Sequence, residues 1–435
     1  MIQVIQLMLA LAVLVTIHEF GHFLAAKMFN TKVEKFMLFF DWPFALFKKK
    51  IGETVWGIGV LPLGGYVKIA GMIDESMDKK QLEKPIEDWE FRAKPAWQRL
   101  IIMIGGVVFN ILLAFIIYSC LLKKHGRIFI DNESLKYGVV CSEAAKNIGF
   151  QNGDKIISID GEKVKEFNPG DIFETILIDE SSKVTIERGG LRSDVFLKKE
   201  DRIDLLKSGA LPFNIAVPCI IDSFTEISTA EKEGFKVGDK IISVNGQKDL
   251  FVSDISSIIK PFESQNIHCS VVRLGDTLSF SFTTPAIEYP LGVSWDQSFL
   301  KGLQKTINYN FGQSIVAGFK KTFTVLFDYT KQFKLIKDSP DSIGGFITIG
   351  KIFPSKWNWR IFWEMTAFLS IILAVINILP IPALDGGHVM FLFYEMITGR
   401  PASKKVLERA QVVGMIILFA LIIWANGNDI IRLFK

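Results

Sequence analysis

Five residues near the amino terminus, His18-Glu19-Phe20-Gly21-His22, have types and spacing suited to hydrolytic chemistry. On a helix, residues i and i+4 share a face, so both imidazoles can reach one metal ion. A zinc ion held this way lowers the pKa of a bound water to about 7. The Glu19 carboxylate, beside the first histidine, then stands where it can take that water's proton and pass it to a leaving amine. The chain has only five histidines, and two of them fall in this motif. A metal held by two histidines needs a third protein ligand, often a carboxylate. Asp385 is the candidate, as the only ionisable residue between Glu364 and His388. His388, three residues on, is the rival ligand.

The elements that must carry these residues are membrane helices. Hydrophobic residues make up 49% of the 435-residue chain. Four stretches reach the roughly 20 apolar residues that a hydrocarbon core requires. They are residues 1–26, 101–122, 365–384 and 410–428. The first is uncharged through Ile17 and then runs into the motif. It lacks the basic start and small-residue cleavage site of a signal peptide, so it is expected to remain as a span. Ionisable groups inside a membrane helix are costly and functional by default. The plainer reading, polar residues where a helix leaves the bilayer, would put two histidines and a glutamate in a span for no purpose. Asp385 follows the third stretch, in Asn377-Ile378-Leu379-Pro380-Ile381-Pro382-Ala383-Leu384-Asp385-Gly386-Gly387. The two prolines break the helix, and irregular backbone at membrane depth is tolerated only where it lines a protein cavity. Taken alone, Asp-Gly-Gly reads equally well as a helix-ending turn.

Basic residues set the expected orientation. Residues 27–99 contain Lys48, Lys49 and Lys50, and the connection before the fourth stretch contains Arg400, Lys404, Lys405 and Arg409. Both connections are therefore expected in the cytoplasm, with both termini and residues 123–364 outside. His125 and His268 then lie on the wrong side for the metal. A net charge of +4 argues neither for nucleic acid nor for an acidic substrate. The four cysteines, Cys120, Cys141, Cys219 and Cys269, form no CxxC pair and suggest neither a thiolate metal site nor a disulfide framework. Whether Cys141, Cys219 or Cys269 pair with one another is left open.

The long outer segment contains an internal repeat. Residues 145–161 and 230–246 match at a constant offset of 85, which relates Gly149 to Gly234, Gly153 to Gly238 and Gly161 to Gly246. In each copy Gly-Asp opens a strand of alternating isoleucines, and Asp-Gly or Asn-Gly closes it as a hairpin turn. Residues 298–337 mix Phe, Leu and Ile with Lys. They suit an amphipathic helix on a membrane surface or an ordinary packed helix. Residues 53–70, with Gly57, Gly59, Gly64 and Gly65, read as a strand hairpin.

Together these features resemble the site-2 protease family of intramembrane zinc metalloproteases, most closely its bacterial regulator-of-sigma-E type. The resemblance rests on residues 18–22, the two repeat copies, residues 377–387 and the order of the spans, and it covers nearly the whole chain. It implies a polytopic α-helical membrane protein with four transmembrane helices, a membrane-associated β-hairpin and two extracytoplasmic β-rich PDZ domains. Residues 1–123 would form an N-terminal membrane part with the metal-motif helix, a cytoplasmic or re-entrant β region and the second span. Residues 124–205 and 206–290 would be the PDZ domains, 291–360 an amphipathic helical region, and 361–435 a C-terminal membrane part with Leu384-Asp385-Gly386 and the fourth span.

By the same resemblance His18, His22 and Asp385 bind Zn2+, and Glu19 is the general base and acid. Asn377 would hold the substrate backbone or the developing oxyanion. The hairpin, at Gly64 and Gly65, would receive unwound substrate as an added strand. Residues 105–110 look like a family motif in the second span, with Gly106 where proline is more usual. Asn110 there is otherwise a helix-packing polar residue. The implied location is the bacterial inner membrane, with both termini and the PDZ pair periplasmic and the active site toward the cytoplasm. The implied substrates are single-span proteins already trimmed by an upstream site-1-type protease, such as an anti-sigma factor, and remnant signal peptides. An alternative of another class is a catalytically silent membrane PDZ scaffold, against which the intact metal set argues.

Overall fold

A stretch of uncharged side chains inside a bilayer has no water to satisfy its backbone, so it must close its own hydrogen bonds as a helix. The computed structural model describes residues 2–61, 64–72, 85–248, 250–259, 265–283, 291–336 and 344–433. Among the described residues, four helices have the length and composition of a span: Ile2–Met28, Ala96–His125, Trp359–Ile378 and Lys405–Ile431. The shortest has 20 residues. At about 1.5 Å per residue it reaches about 30 Å, the thickness of a hydrocarbon core. The chain divides into two units, Met1–Gly126 with Asn308–Lys435, and Arg127–Ile307.

In the first unit the second span is the hub. It packs against the first and third spans, against helix Phe311–Ile336 and against helix Asp385–Thr398. Gly21 and Gly105 let the first two spans meet backbone to backbone; a Cβ on Gly21 would lie 2.4 Å from the Gly105 carbonyl oxygen. Small residues permit this approach between membrane helices. The Ser370 hydroxyl donates to the Asn110 carbonyl at 2.8 Å and ties the third span to the second. The fourth span turns Ile416, Phe419 and Ile423 outward.

The third apolar stretch, residues 365–384, is not helical throughout. Its helix ends at Ile378, because Leu379 precedes Pro380 and is extended, with ψ 143°. At the other end the helix reaches back to Trp359, where Asn358 accepts from the backbone N–H groups of Arg360 and Ile361. This added stretch of helix carries Glu364, which accepts from Lys321 on helix Phe311–Ile336 at 2.7 Å.

Between the first two spans lie four strands: β1 (Val33–Leu38), β2 (Phe40–Ile51), β3 (Thr54–Leu61) and β4 (Tyr66–Ile69), in sheet order β2-β3-β1-β4. Residues 53–70 therefore do not form a hairpin. The hairpin is β2 with β3, turning at Gly52 and Glu53, while β1 lies between β3 and β4, parallel to the first and antiparallel to the second. The charged run Lys48-Lys49-Lys50 sits on an outer strand, where lysines are exposed. The same strand exposes Trp42, Phe44 and Leu46.

In the second unit the repeat is also a structural repeat. Strands Lys155–Ile159, Glu162–Lys163, Lys183–Arg188 and Leu191–Phe196 form one sheet. Lys240–Val244, Gln247–Lys248, Asn266–Arg273 and Asp276–Thr283 form its counterpart with the same pairing. The hairpin turns have positive φ at Asp160 and Gly161, and at Asn245 and Gly246, as such turns require. In each copy a buried aspartate is clamped by an arginine. Arg188 donates to Asp154 at 2.7 and 2.8 Å, and Arg273 to Asp239 at 2.7 Å twice. Strand Phe213–Ile215, beyond the expected boundary at residue 205, pairs with Val139–Cys141 of the first copy. Val293–Trp295 pairs with Ile221–Phe224 of the second, whose expected end at residue 290 lies outside the described residues. The unit's first and last strands, Arg127–Ile130 and Gln304–Ile307, pair antiparallel. All four cysteines are free. Burial pushes the Cys141, Cys219 and Cys269 thiols up to about 12.

Candidate metal centre

His18 and His22 lie one turn apart on the first span, each 7% exposed. Their Nε2 atoms are 3.3 Å apart. Asp385 opens helix Asp385–Thr398, and its Oδ2 lies 3.2 Å from His18 Nε2 and 3.3 Å from His22 Nε2. The broken segment brings it there. Pro380 and Pro382 interrupt the helix, Ala383 takes a φ of 88°, and Leu384 is extended just before the new helix starts. A non-glycine residue held at positive φ costs on the order of 1 kcal/mol, a strain that clusters at functional sites.

Three donor atoms thus crowd one point. Asp385 Oδ2 is buried and receives no hydrogen bond. Ring nitrogens and a carboxylate oxygen within 3.3 Å of one another suit a cation, and two imidazoles with one carboxylate are a donor set that zinc takes. His18, His22 and Asp385 are the group, among the described residues, whose ligand atoms could hold a metal ion. His388 is outside that group and lines the adjoining cavity.

The cavity has a volume of about 640 Å³. Glu19 is half-buried in its wall, and the backbone N–H of Val67 on β4 hydrogen-bonds the Glu19 carboxylate. Asn377 places its Nδ2 3.2 Å from His18 Nε2. Gly64 and Gly65 line the same space just ahead of β4, the strand at one end of the sheet. Gly65 also has a packing reason to be glycine, since a Cβ there would lie 2.7 Å from the Met37 carbonyl oxygen. All seven residues singled out from the sequence, His18, Glu19, His22, Gly64, Gly65, Asn377 and Asp385, border this one cavity.

Sequence reasoning marked residues 105–110 of the second span by resemblance and left the role of Asn110 open; the geometry sets that span against both rings. The Ile102 carbonyl lies 2.9 Å from His22 Nδ1, and Asn110 Nδ2 lies 3.2 Å from His18 Nδ1. Gly106, between them, closes over both rings; a Cβ there would lie 2.5 Å from His22 Nε2. Residues 102, 106 and 110 recur at helical spacing, and a lone asparagine in an uncharged span was the available signal.

A histidine pair and a carboxylate gathered within a bundle of span-length helices define the class, a metallopeptidase working at membrane depth. The sequence profile of Peptidase family M50 matches residues 6–421, and the chain belongs to that family, that of the site-2 proteases. It is similar to the protein named "Putative zinc metalloprotease" of Rickettsia conorii, 31% identical over 440 residues and covering 100% of both chains. It is also similar to the regulator of sigma-E protease RseP of Escherichia coli, 28% identical over 456 residues, with 98% of this chain and 97% of the relative covered. The regulator of sigma E protease of Haemophilus influenzae is 26% identical over 452 residues, with 98% of each covered. The protein is a zinc metalloprotease of the site-2 type.

Proposed function

We propose that the chain cuts single-span membrane proteins at a zinc centre formed by His18, His22 and Asp385. The observation that carries this reading is the convergence of these three donors beside a buried, unsatisfied Asp385 Oδ2. When bound, zinc supplies Lewis acidity toward water and the scissile carbonyl. Glu19, in the same cavity and not among the converging atoms, takes a proton from the attacking water and returns it to the leaving amine. Asn377 is close enough to the centre to hold the substrate backbone or the developing oxyanion. β4, next to Gly64 and Gly65, is an outer strand of its sheet among the described residues and lies beside the centre. A substrate helix hides its carbonyls in its own hydrogen bonds. Added as a strand along β4, it would unwind and present one.

The basic-residue bias supports an inner-membrane orientation with both termini and the repeat unit periplasmic and the centre toward the cytoplasm. The repeat copies are read as PDZ domains that meet extended peptide ends. The named activity of the sigma-E relatives supports a substrate such as an anti-sigma factor, first trimmed by an upstream site-1-type protease, and remnant signal peptides belong to the same chemical class. The test is mass spectrometry of membrane fragments from cells with the wild type or Glu19→Gln. Single-span fragments should accumulate with the variant alone. Identical fragment profiles would sink the reading and favour a silent scaffold.

A further inference from the structure

We infer that Asn110 is a positioning residue for the metal centre: its side-chain carbonyl accepts the Nδ1–H of His18 and so turns the Nε2 lone pair toward the metal. The inference rests on the reading of His18 as a ligand. Its starting point is His22, whose Nδ1 lies 2.9 Å from the Ile102 carbonyl oxygen. A carbonyl can only accept, so Nδ1 of His22 carries the proton and Nε2 is left with its lone pair. Metal-binding histidines generally fix their tautomer through a partner on the other ring nitrogen.

His18 has the equivalent partner two turns further along the same helix. Asn110 is fully buried, its Nδ2 is 3.2 Å from His18 Nδ1, and its Oδ1 has no hydrogen-bond partner. The two ends of an amide are nearly the same size and exchange by a half-turn of the side chain. With Nδ2 toward the ring, Nδ1 would accept and the proton would sit on Nε2, facing His22 Nε2 and Asp385 Oδ2. With Oδ1 toward the ring, Nδ1 donates and Nε2 is free for the metal. One amide group lacks a partner in either orientation, so the metal decides between them. The Asn110 backbone is held by Ser370, itself fully buried, and Gly106 leaves room for both rings between the two anchors. A residue serving only to pack the helices would have no need to set a buried amide against His18 Nδ1.

The test measures zinc affinity of the full chain in detergent by competition with a chelator. Asn110→Leu keeps the bulk and removes the acceptor, and should weaken zinc binding about 10- to 100-fold. Asn110→Asp keeps an acceptor and should hold zinc within about threefold of the wild type, as carboxylate–histidine–zinc triads do. Wild-type affinity in Asn110→Leu, or equal loss in both variants, would overturn the inference. His22→Ala in the same titration tests the centre separately, since undiminished binding there would remove the reading on which Asn110 depends. Should Asn110→Leu fail to fold, 15N-histidine NMR of the zinc-loaded wild type decides. A hydrogen-bonded proton on His18 Nδ1 is expected, and a metal-bound or proton-free Nδ1 would overturn the role.

Discussion

Replacing Gly106 with alanine should damage the centre although alanine favours helices. The added methyl would lie 2.5 Å from His22 Nε2 and 2.6 Å from His18 Cε1. Ordinary contact begins near 3.4 Å, so the rings or the span must give by about 0.9 Å, the difference of the two distances. Withdrawing the span would also open the Gly21–Gly105 contact beside it. Metal–ligand distances tolerate only about 0.2 Å, and a misplacement of about 1 Å can lower a rate about 100-fold. That loss corresponds to about 2.7 kcal/mol at about 1.36 kcal/mol per tenfold. Helix propensity pulls the other way, since alanine is better than glycine by about 1 kcal/mol in a helix interior. The sign is therefore diagnostic. The assay is cleavage of a single-span reporter in liposomes, with thermal unfolding followed alongside. Gly106→Ala should lose about 100-fold in kcat/KM, whereas Gly427→Ala, where an added Cβ meets nothing within 4 Å, should not. Wild-type activity or raised stability in Gly106→Ala would refute the reasoning.

Three further outcomes are expected. Arg273→Met should loosen the second repeat copy and leave the first intact, seen as faster hydrogen exchange in strands Lys240–Val244 and Asn266–Arg273 alone. Burial would raise the Asp239 carboxyl, but Arg273 and the Lys236 N–H outweigh it and hold it below the usual carboxylate range. A depressed folded pKa means that this pair stabilises above the unfolded value of about 3.9 and is lost as pH falls below it, so acid should erase the difference between Arg273→Met and wild type. With thiols pushed up to about 12, Cys141, Cys219 and Cys269 should resist maleimide in the folded protein at neutral pH and react after unfolding, as read by mass spectrometry. An impermeant probe added outside intact spheroplasts should label Lys163→Cys and not Lys49→Cys, and the reverse pattern would overturn the orientation.

The candidate centre was legible wherever its chemistry is local. His18 and His22 stand four residues apart, and one turn of helix is all that joins them. Asp385 was picked out as a candidate because charge is rare in an apolar stretch, and the prolines ahead of it announce the break that carries it inward. The repeat showed itself through glycines and turn residues that only a few backbone conformations explain. What stayed hidden depends on long-range pairing. Asn110 lies 92 residues from His18 in sequence, so its motif and its polarity in an uncharged span could mark it without showing that it meets the ring. Arg188 and Asp154, 34 residues apart, gave no sign of their ion pair even though Arg273 and Asp239 repeat it. The hairpin was misplaced because β1, from earlier in the chain, inserts between β3 and β4, and alternation within a strand carries no information about which partner it takes.

Zinc bound per chain, measured by elemental analysis after exhaustive dialysis, tests the account most directly when read together with cleavage of a single-span substrate. The wild type and His388→Ala should each retain about one zinc, Asp385→Ala should lose both metal and activity, and Glu19→Gln should keep the metal without cleaving. Zinc retained in Asp385→Ala and lost in His388→Ala, or normal turnover by Glu19→Gln, would contradict it.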